Sequence, residues 1–169
     1  IEWLATQWVQ QDAFGTGALL VAVGPQSRED PNGELIARLN ALGRQAPQRF
    51  MLRPRSADVE RYLRAADLLV LPSHREGLPN VVLEAMASGL PCVAADVSGT
   101  RDLVQHGRTG YTYSPDDPQA LALAVCSGLS PAGRALGENG RRIAEEQFSL
   151  HSVAQGYSRL YDRLVGAQR

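Results

Sequence analysis

Short apolar runs, each closed by turn-forming residues, recur along the chain. Five of these runs predict β-strands, at residues 18–23, 49–52, 67–71, 91–95 and 109–113. The runs at 18–23 and 91–95 are apolar throughout, and the run at 67–71 is apolar after Asp67. Such continuous apolar runs are typical of strands covered on both faces of a parallel sheet. The pattern therefore favours an α/β domain.

Between and after the strands, apolar residues recur at the spacing of one face of a helix. This spacing predicts helices over 32–46, 80–88, 100–106, 116–129, 131–148 and 150–165, and one capped at Ser56 that runs through Leu63. Strands that alternate with helices indicate a Rossmann-like, doubly wound parallel sheet. The length of 169 residues predicts a single domain over 1–169, which helices at 131–165 close.

The composition disfavours several classes of function. The formal net charge is −1, so the chain lacks the basic surplus of a nucleic-acid-binding protein. All 17 basic residues are arginine, which excludes a P-loop lysine or a Schiff-base lysine in this sequence. No apolar run is long enough to cross a bilayer. The start at Ile1 shows no signal peptide and predicts a piece of a longer protein.

The cysteines and histidines show no metal-binding pattern. Cys92 and Cys126 lie in apolar surroundings without a Cys-x-x-Cys pair, so we expect two buried free thiols in a reducing compartment. His74, His106 and His151 lack the spacing of a metal site, and His74 is interpreted as a loop residue at the rim of a cleft. The sequence therefore predicts no bound metal.

One segment carries the candidate chemistry, because it follows a buried strand and precedes a helix. Ligands of open α/β sheets bind beyond the carboxyl ends of the strands, where Glu76 and Gly77 lie. Pro79 and Asn80 begin the next helix, whose unpaired amides at Gly77, Leu78 and Asn80 can hold a phosphate.

Glu84 lies within a helix that is apolar almost all round, so we expect it to be buried on most sides. A buried carboxylate needs hydrogen bonds. Two interpretations stay open: a structural partner elsewhere in the fold, or a pair of hydroxyl groups on a ligand. Glu76 also has two interpretations, since a carboxylate before a helix can simply favour the helix dipole.

The order of these residues resembles the Glu-x7-Glu motif of retaining GT-B glycosyltransferases of the family 4 type. The matching stretch is Pro-Ser-His-Arg-Glu-Gly-Leu-Pro-Asn at 72–80, followed by Glu-Ala-Met-Ala at 84–87 and Gly-Leu-Pro at 89–91. The stretches at 62–67, 98–104, 107–110 and 148–161 are similar to further motifs of that family. The resemblance covers nearly the whole chain.

The resemblance implies a C-terminal donor-binding half that transfers a sugar from a nucleotide-diphosphate sugar with retention. It implies that Glu76 is catalytic and holds the donor sugar, and that Glu84 holds the ribose hydroxyls. Backbone amides near Gly77 and Leu78 would face the diphosphate, and the loop 52–56 would face the base, with Arg55 as a weak side-chain candidate. The family needs no metal or other cofactor, and the sequence has no Asp-x-Asp motif.

The resemblance also implies that parts of the family's protein lie outside this sequence. These are the central first strand of the sheet, its basic diphosphate ligands, and the N-terminal acceptor domain. We therefore expect weak donor binding, no transfer by this chain alone, and a gap in the sheet unless another chain fills it. We also expect a bacterial cytoplasmic enzyme, at the inner face of the membrane if the missing domain binds there. Its expected acceptor is a lipid-linked or saccharide acceptor of cell-envelope or exopolysaccharide synthesis.

The closing helix resembles the family's last helix and carries an apolar stripe that would favour self-association, comprising Val153, Tyr157, Leu160, Tyr161 and Leu164.

Two other functions stay open, and a third is disfavoured. The chain could be a non-catalytic nucleotide-sugar-binding module, or part of a GT-B relative such as a sugar-nucleotide epimerase or a phosphorylase. An unrelated dinucleotide-binding domain is disfavoured because no Gly-x-Gly-x-x-Gly is present.

Overall fold

A computed structural model describes residues 1–14, 17–24 and 30–166 of the chain. The strands are β1 (Leu20–Val23), β2 (Phe50–Arg53), β3 (Leu69–Leu71), β4 (Cys92–Ala95) and β5 (Gly110–Tyr113). The helices are α1 (Glu2–Gln10), α2 (Glu34–Gln45), α3 (Val59–Ala65), α4 (Asn80–Ala87), α5 (Ser98–Arg101), α6 (Pro118–Gly128), α7 (Pro131–Gln147) and α8 (Leu150–Gly166), with a short 3-10 turn at Asp12–Phe14.

All strand pairs in the described residues are parallel, as predicted. β1 pairs with β2, and β3, β4 and β5 form a second ladder in that order. The middle strand of this ladder is fully buried, which explains its unbroken apolar sequence from Cys92 to Ala95. The predicted α/β class with a parallel sheet is confirmed.

The two ladders are not joined to each other by backbone hydrogen bonds within the described ranges. The observed strands fall into the order β2-β1 and β3-β4-β5. This is the Rossmann order 3-2-1-4-5-6 with its central first strand left out. The break between β1 and β3 therefore agrees with the predicted gap in the sheet.

Helix α4 is held in place by α7 and by a defined C-terminal turn. Leu90 donates to the carbonyl of Ala85 and Gly89 to that of Met86, both in the Schellman pattern, and Gly89 has a φ of +75°. On α7, Gly137 lies so close to the Gly89 carbonyl oxygen that no Cβ would fit there. The residues around Gly89 therefore fix one end of α4 against the domain.

The predicted helix over 100–106 is wrong in both its start and its length. Helix α5 ends at Arg101, and the chain then turns through His106 and Gly107. The reason is local, because the Thr109 hydroxyl donates to the Leu103 carbonyl and accepts from the Gln105 amide. These bonds stabilise a turn in place of a helical continuation.

Helix α8 contributes no buried residue and exposes the predicted apolar stripe. Within the described residues, no single helix has the length and apolar character needed to span a membrane. Helices α6 to α8 have that length and apolar character only when they are taken together, and this combination is bent by 80°.

Candidate functional site

The loop from β3 to α4 presents unpaired amides at the carboxyl edge of the sheet. Among the described residues, the amides of Gly77, Leu78 and Asn80 donate no hydrogen bond, and all three residues are exposed. Pro79 is buried and has no N–H group, so it anchors the helix start without using an acceptor. The loop can therefore offer several amides to an anion, as the sequence predicts.

Gly77 is not required by packing within the chain. A Cβ added to it would meet no atom within 4 Å, and its φ is not in the left-handed region. A glycine that the fold itself does not need is consistent with close approach of a ligand to the backbone.

The expectation that Glu84 is buried is wrong. Asn80, Glu84 and Ala87 form the exposed stripe of α4, whereas Ala85 and Met86 face the core. An α-helix makes one turn every 3.6 residues, so its side chains point in all directions around the axis. Even this apolar helix therefore has one face exposed to solvent, and Glu84 lies on that face. No described side chain forms a hydrogen bond or ion pair with its carboxylate, so the structural-partner interpretation loses its support.

Glu76 is half-buried in the loop that precedes α4. Its carboxylate likewise has no hydrogen bond or ion pair with any described residue. Among the described residues, the carboxylates of the two motif glutamates therefore have no side-chain or backbone partner, and both are available to a ligand.

Arg55 lies at the same edge of the sheet, two residues after the end of β2. It is exposed, and its backbone lies against Gly24, where a Cβ would come within 3.0 Å of the Arg55 Cα. Gly24, directly after β1, is therefore packed against the loop 52–56, which the sequence predicts to face the nucleotide base.

Two contacts that the sequence did not reveal support the loop of Glu76. Gly99 at the start of α5 lies directly against the carbonyl oxygens of Glu76 and Gly77, so closely that a Cβ would overlap them. His74 Nε2 lies 3.0 Å and 3.1 Å from the carboxylate oxygens of Asp116, which follows β5. Asp116 has a φ of +61°, which is uncommon for a residue other than glycine.

Helix α5 is itself fixed to the ends of β4 and β5. The buried Thr100 hydroxyl donates to the Ala95 carbonyl at 2.6 Å, and the Asp96 amide donates to the Tyr113 carbonyl at 2.8 Å. The Arg101 side chain donates to the carboxylate of Asp96 and holds the pKa of that carboxyl below its ordinary range. Thr100 is therefore a structural residue.

The two cysteines differ from each other. Cys92 is buried as predicted, and burial raises the pKa of its thiol to about 12. Cys126 is exposed, which contradicts the predicted burial, because it lies on the outer side of α6. Its thiol donates a hydrogen bond to the Ala13 carbonyl. No cluster of metal-ligating side chains occurs in the parts of the chain that the structure describes.

A shallow cavity of about 360 Å³ lies at the opposite end of the sheet and contains none of the predicted site residues. Asp67 and Pro91, which line it, precede β3 and β4. The carboxyl ends of α3, α4 and α6 border it, and these carry partial negative charge. The cavity is also lined by Arg64 and Arg134, but it lies away from the loop edge where the sequence predicts the site.

The fold and the loop edge define an α/β domain of the GT-B glycosyltransferase class. The chain belongs to the glycosyl transferases group 1 family, whose model matches residues 1–130. It is 31% identical over 165 residues to a D-inositol 3-phosphate glycosyltransferase of Jonesia denitrificans, covering 96% of this chain and 39% of that protein. Other bacterial relatives carry names from lipopolysaccharide core and capsular polysaccharide biosynthesis.

Solved structures agree with this assignment. Sucrose-phosphate synthase from Thermosynechococcus elongatus matches with a TM-score of 0.79 and 28% identity, over 98% of this chain and 42% of that one. The Anabaena protein HepE in complex with UDP matches with a TM-score of 0.80 and 25% identity, over 95% of this chain and 44% of that one. The chain thus spans about two fifths of the Jonesia, Thermosynechococcus and Anabaena proteins, and about three tenths of the two polysaccharide relatives.

Proposed function

We propose that this chain holds the donor site of a retaining, metal-independent glycosyltransferase. The observation that carries the proposal is the set of free groups at the loop edge. Two motif carboxylates and three backbone amides lie there without partners among the described residues, in the order that the family's donor site requires.

Each free group has a role that suits its chemistry. The Glu84 carboxylate has two acceptor oxygens and would accept hydrogen bonds from the two ribose hydroxyls. Glu76 would hold hydroxyls of the donor sugar beside the reacting carbon, and is the proposed catalytic residue. The amides of Gly77, Leu78 and Asn80 would bind the diphosphate, with Pro79 fixing the start of α4. Arg55 and its loop would lie against the base.

Departure of the nucleoside diphosphate builds negative charge on the leaving group. The start of α4 offers unpaired N–H groups and the positive end of a helix dipole, which stabilise such charge. This arrangement supports metal-independent departure, because the chain's own amides face the place where the charge develops.

The edge that carries these groups is open to solvent, which fits a donor site that a second domain completes. We propose that the acceptor, lipid-linked or saccharide, is selected by residues outside this sequence. On this view the chain alone binds a donor weakly and does not transfer it, and the complete protein acts in the cytoplasm. Structures of HepE with UDP and with UDP-glucose make these two compounds the first probes.

Ligand-observed NMR tests the donor site directly. The chain is titrated with UDP, GDP, ADP and their common sugar conjugates, and binding to one nucleotide is expected. Glu84→Ala should abolish that binding and Gly77→Ala should weaken it. The exposed residue Glu138 on α7 gives the matched control, since Glu138→Ala should change nothing. Equal binding by wild type and Glu84→Ala would contradict the proposal.

The reaction class requires the complete protein. The proposal predicts transfer to an acceptor in the presence of EDTA, with the product carrying the donor's anomeric configuration by proton NMR. Inversion would contradict retention, and loss of transfer with EDTA would contradict metal independence. Epimerised nucleotide sugar or phosphorolysis would instead identify an epimerase or a phosphorylase, and donor binding without turnover a non-catalytic module.

A further inference from the structure

The peptide groups that are proposed to face the diphosphate pack against Gly99. A Cβ added to Gly99 would lie 2.3 Å from the carbonyl oxygen of Glu76 and 2.1 Å from that of Gly77, so both peptide units rest on Gly99. The amides of Gly77 and Leu78 belong to these two peptide units. Their placement therefore depends on the contact with Gly99.

Only glycine permits this contact. A Cβ at position 99 would overlap both carbonyl oxygens, and backbone atoms cannot yield as the end of a long side chain can. The φ of Gly99 is not in the left-handed region, so the glycine is required by the close approach and not by its own conformation. Position 99 must therefore be glycine for the loop of Glu76 to lie where it does.

The loop is also tied from its other side. His74, two residues before Glu76, bridges to Asp116 across 42 positions of sequence. An ionised carboxylate can only accept hydrogen bonds, so Nε2 of His74 carries the proton in this pair. Both side chains are more than half exposed, which makes the pair weak alone. Asp116 nevertheless links the loop to the end of β5.

We propose that Gly99 is a positioning residue of the donor site, and that the His74–Asp116 pair holds the loop against it. Gly99 sets the position of the peptide units that carry the Gly77 and Leu78 amides before any ligand binds. The His74–Asp116 pair limits the movement of the loop away from Gly99. This inference rests on the proposed donor site for its consequence in binding, but its geometric part can be tested without a ligand.

The chain offers a matched control for the glycine. Gly137 also lies against a backbone carbonyl, that of Gly89, at the far side of α4 from the loop. Gly99→Ala and Gly137→Ala therefore introduce the same kind of overlap at two places. We expect both to lower the melting temperature, while only Gly99→Ala should weaken UDP binding, by about tenfold or more, because it displaces the two peptide units that carry the amides.

Asp116 allows a second test that does not threaten the fold. Asp116→Gly removes the carboxylate and keeps a residue suited to positive φ. We expect it to weaken UDP-glucose binding by about threefold and to lower the backbone order parameters of Glu76 and Gly77. Asp116→Asn retains an acceptor for His74 and should restore most of both quantities.

Residual dipolar couplings measure the orientation of the amides in the full chain without ligand. The couplings of Gly77 and Leu78 should depart from their wild-type values in Gly99→Ala and stay unchanged in Gly137→Ala. Unchanged couplings in Gly99→Ala, or equal loss of UDP binding in both alanine variants, would overturn the proposal. If wild type bound no nucleotide, the proposed function would fail while the couplings still decided the role of Gly99.

Discussion

Glu84 and Ala85 are adjacent on α4 and face opposite surroundings, because the Ala85 side chain is fully buried in the core and the Glu84 carboxylate is exposed. The two positions therefore separate stability from binding. One of them determines how α4 packs, and the other is free for a ligand.

Substitutions at these two positions should differ greatly in their effect on the free energy of unfolding. Glu84→Ala should change the free energy of unfolding by no more than about 0.5 kcal/mol, as expected for a surface site. Ala85→Glu should cost about 3–5 kcal/mol or prevent folding, since it buries an unpaired charge. Urea denaturation of both variants checks this. A strongly destabilised Glu84→Ala would show that the carboxylate holds the fold.

The two thiols should react at very different rates. Cys126 is exposed, whereas Cys92 is fully buried with a pKa raised to about 12. A thiol-specific reagent at neutral pH should modify Cys126 quickly and Cys92 only after denaturation. Cys126→Ser should remove the fast phase. Two fast phases in the folded wild type would contradict the burial of β4.

Asp30 should make part of the chain's stability dependent on pH. Its carboxylate accepts from the Ile36 amide at 2.8 Å in the first turn of α2, and this bond is the main reason that its pKa is lowered. A lowered folded-state pKa stabilises the fold above the unfolded value of about 4, and this contribution is lost as the pH falls through the folded value. Asp30→Ala should therefore lower the melting temperature at pH 7 and have a smaller effect in strong acid. An equal decrease in melting temperature at both pH values would exclude the hydrogen bond to the ionised Asp30 carboxylate as the cause.

The apolar stripe of α8 should make the chain associate with itself. Its side chains are 42–63% exposed, from Val153 through Tyr157 and Leu160 to Leu164. Sedimentation velocity should show a dimer or larger species that grows with concentration. Leu160→Ser with Leu164→Ser should return the chain to monomer, and Asp162→Ser on the same helix should not. A monomeric wild type at every concentration would contradict this prediction.

The strands and most helices could be predicted because their signals are local. Unbroken apolar runs such as Cys92–Ala95 specify buried parallel strands, and Pro131 begins a helix where it was predicted. The helix predicted from residue 116 begins two residues later, at Pro118. Helix α5 was predicted wrongly because hydrogen bonds of the Thr109 side chain stabilise a turn there. Such side-chain bonds are not visible in apolar periodicity.

The site could be predicted only in part. The free amides before α4 follow from the position of Pro79 and the strand before it, and the motif identified both glutamates. The exposure of Glu84 did not follow, because composition does not say which face of an apolar helix meets solvent. The contacts of Gly99 with Gly77 and of His74 with Asp116 join distant positions, and only the three-dimensional structure brings them together.

We propose above all that the loop before α4 binds the diphosphate of a nucleotide. An amide-resolved NMR titration of the full chain with UDP tests this most directly. We expect the largest shifts on Gly77, Leu78, Asn80 and Glu84, and we expect Glu84→Ala to remove them. Shifts confined to the cavity around Arg64 and Arg134, or no shift at millimolar UDP, would contradict it.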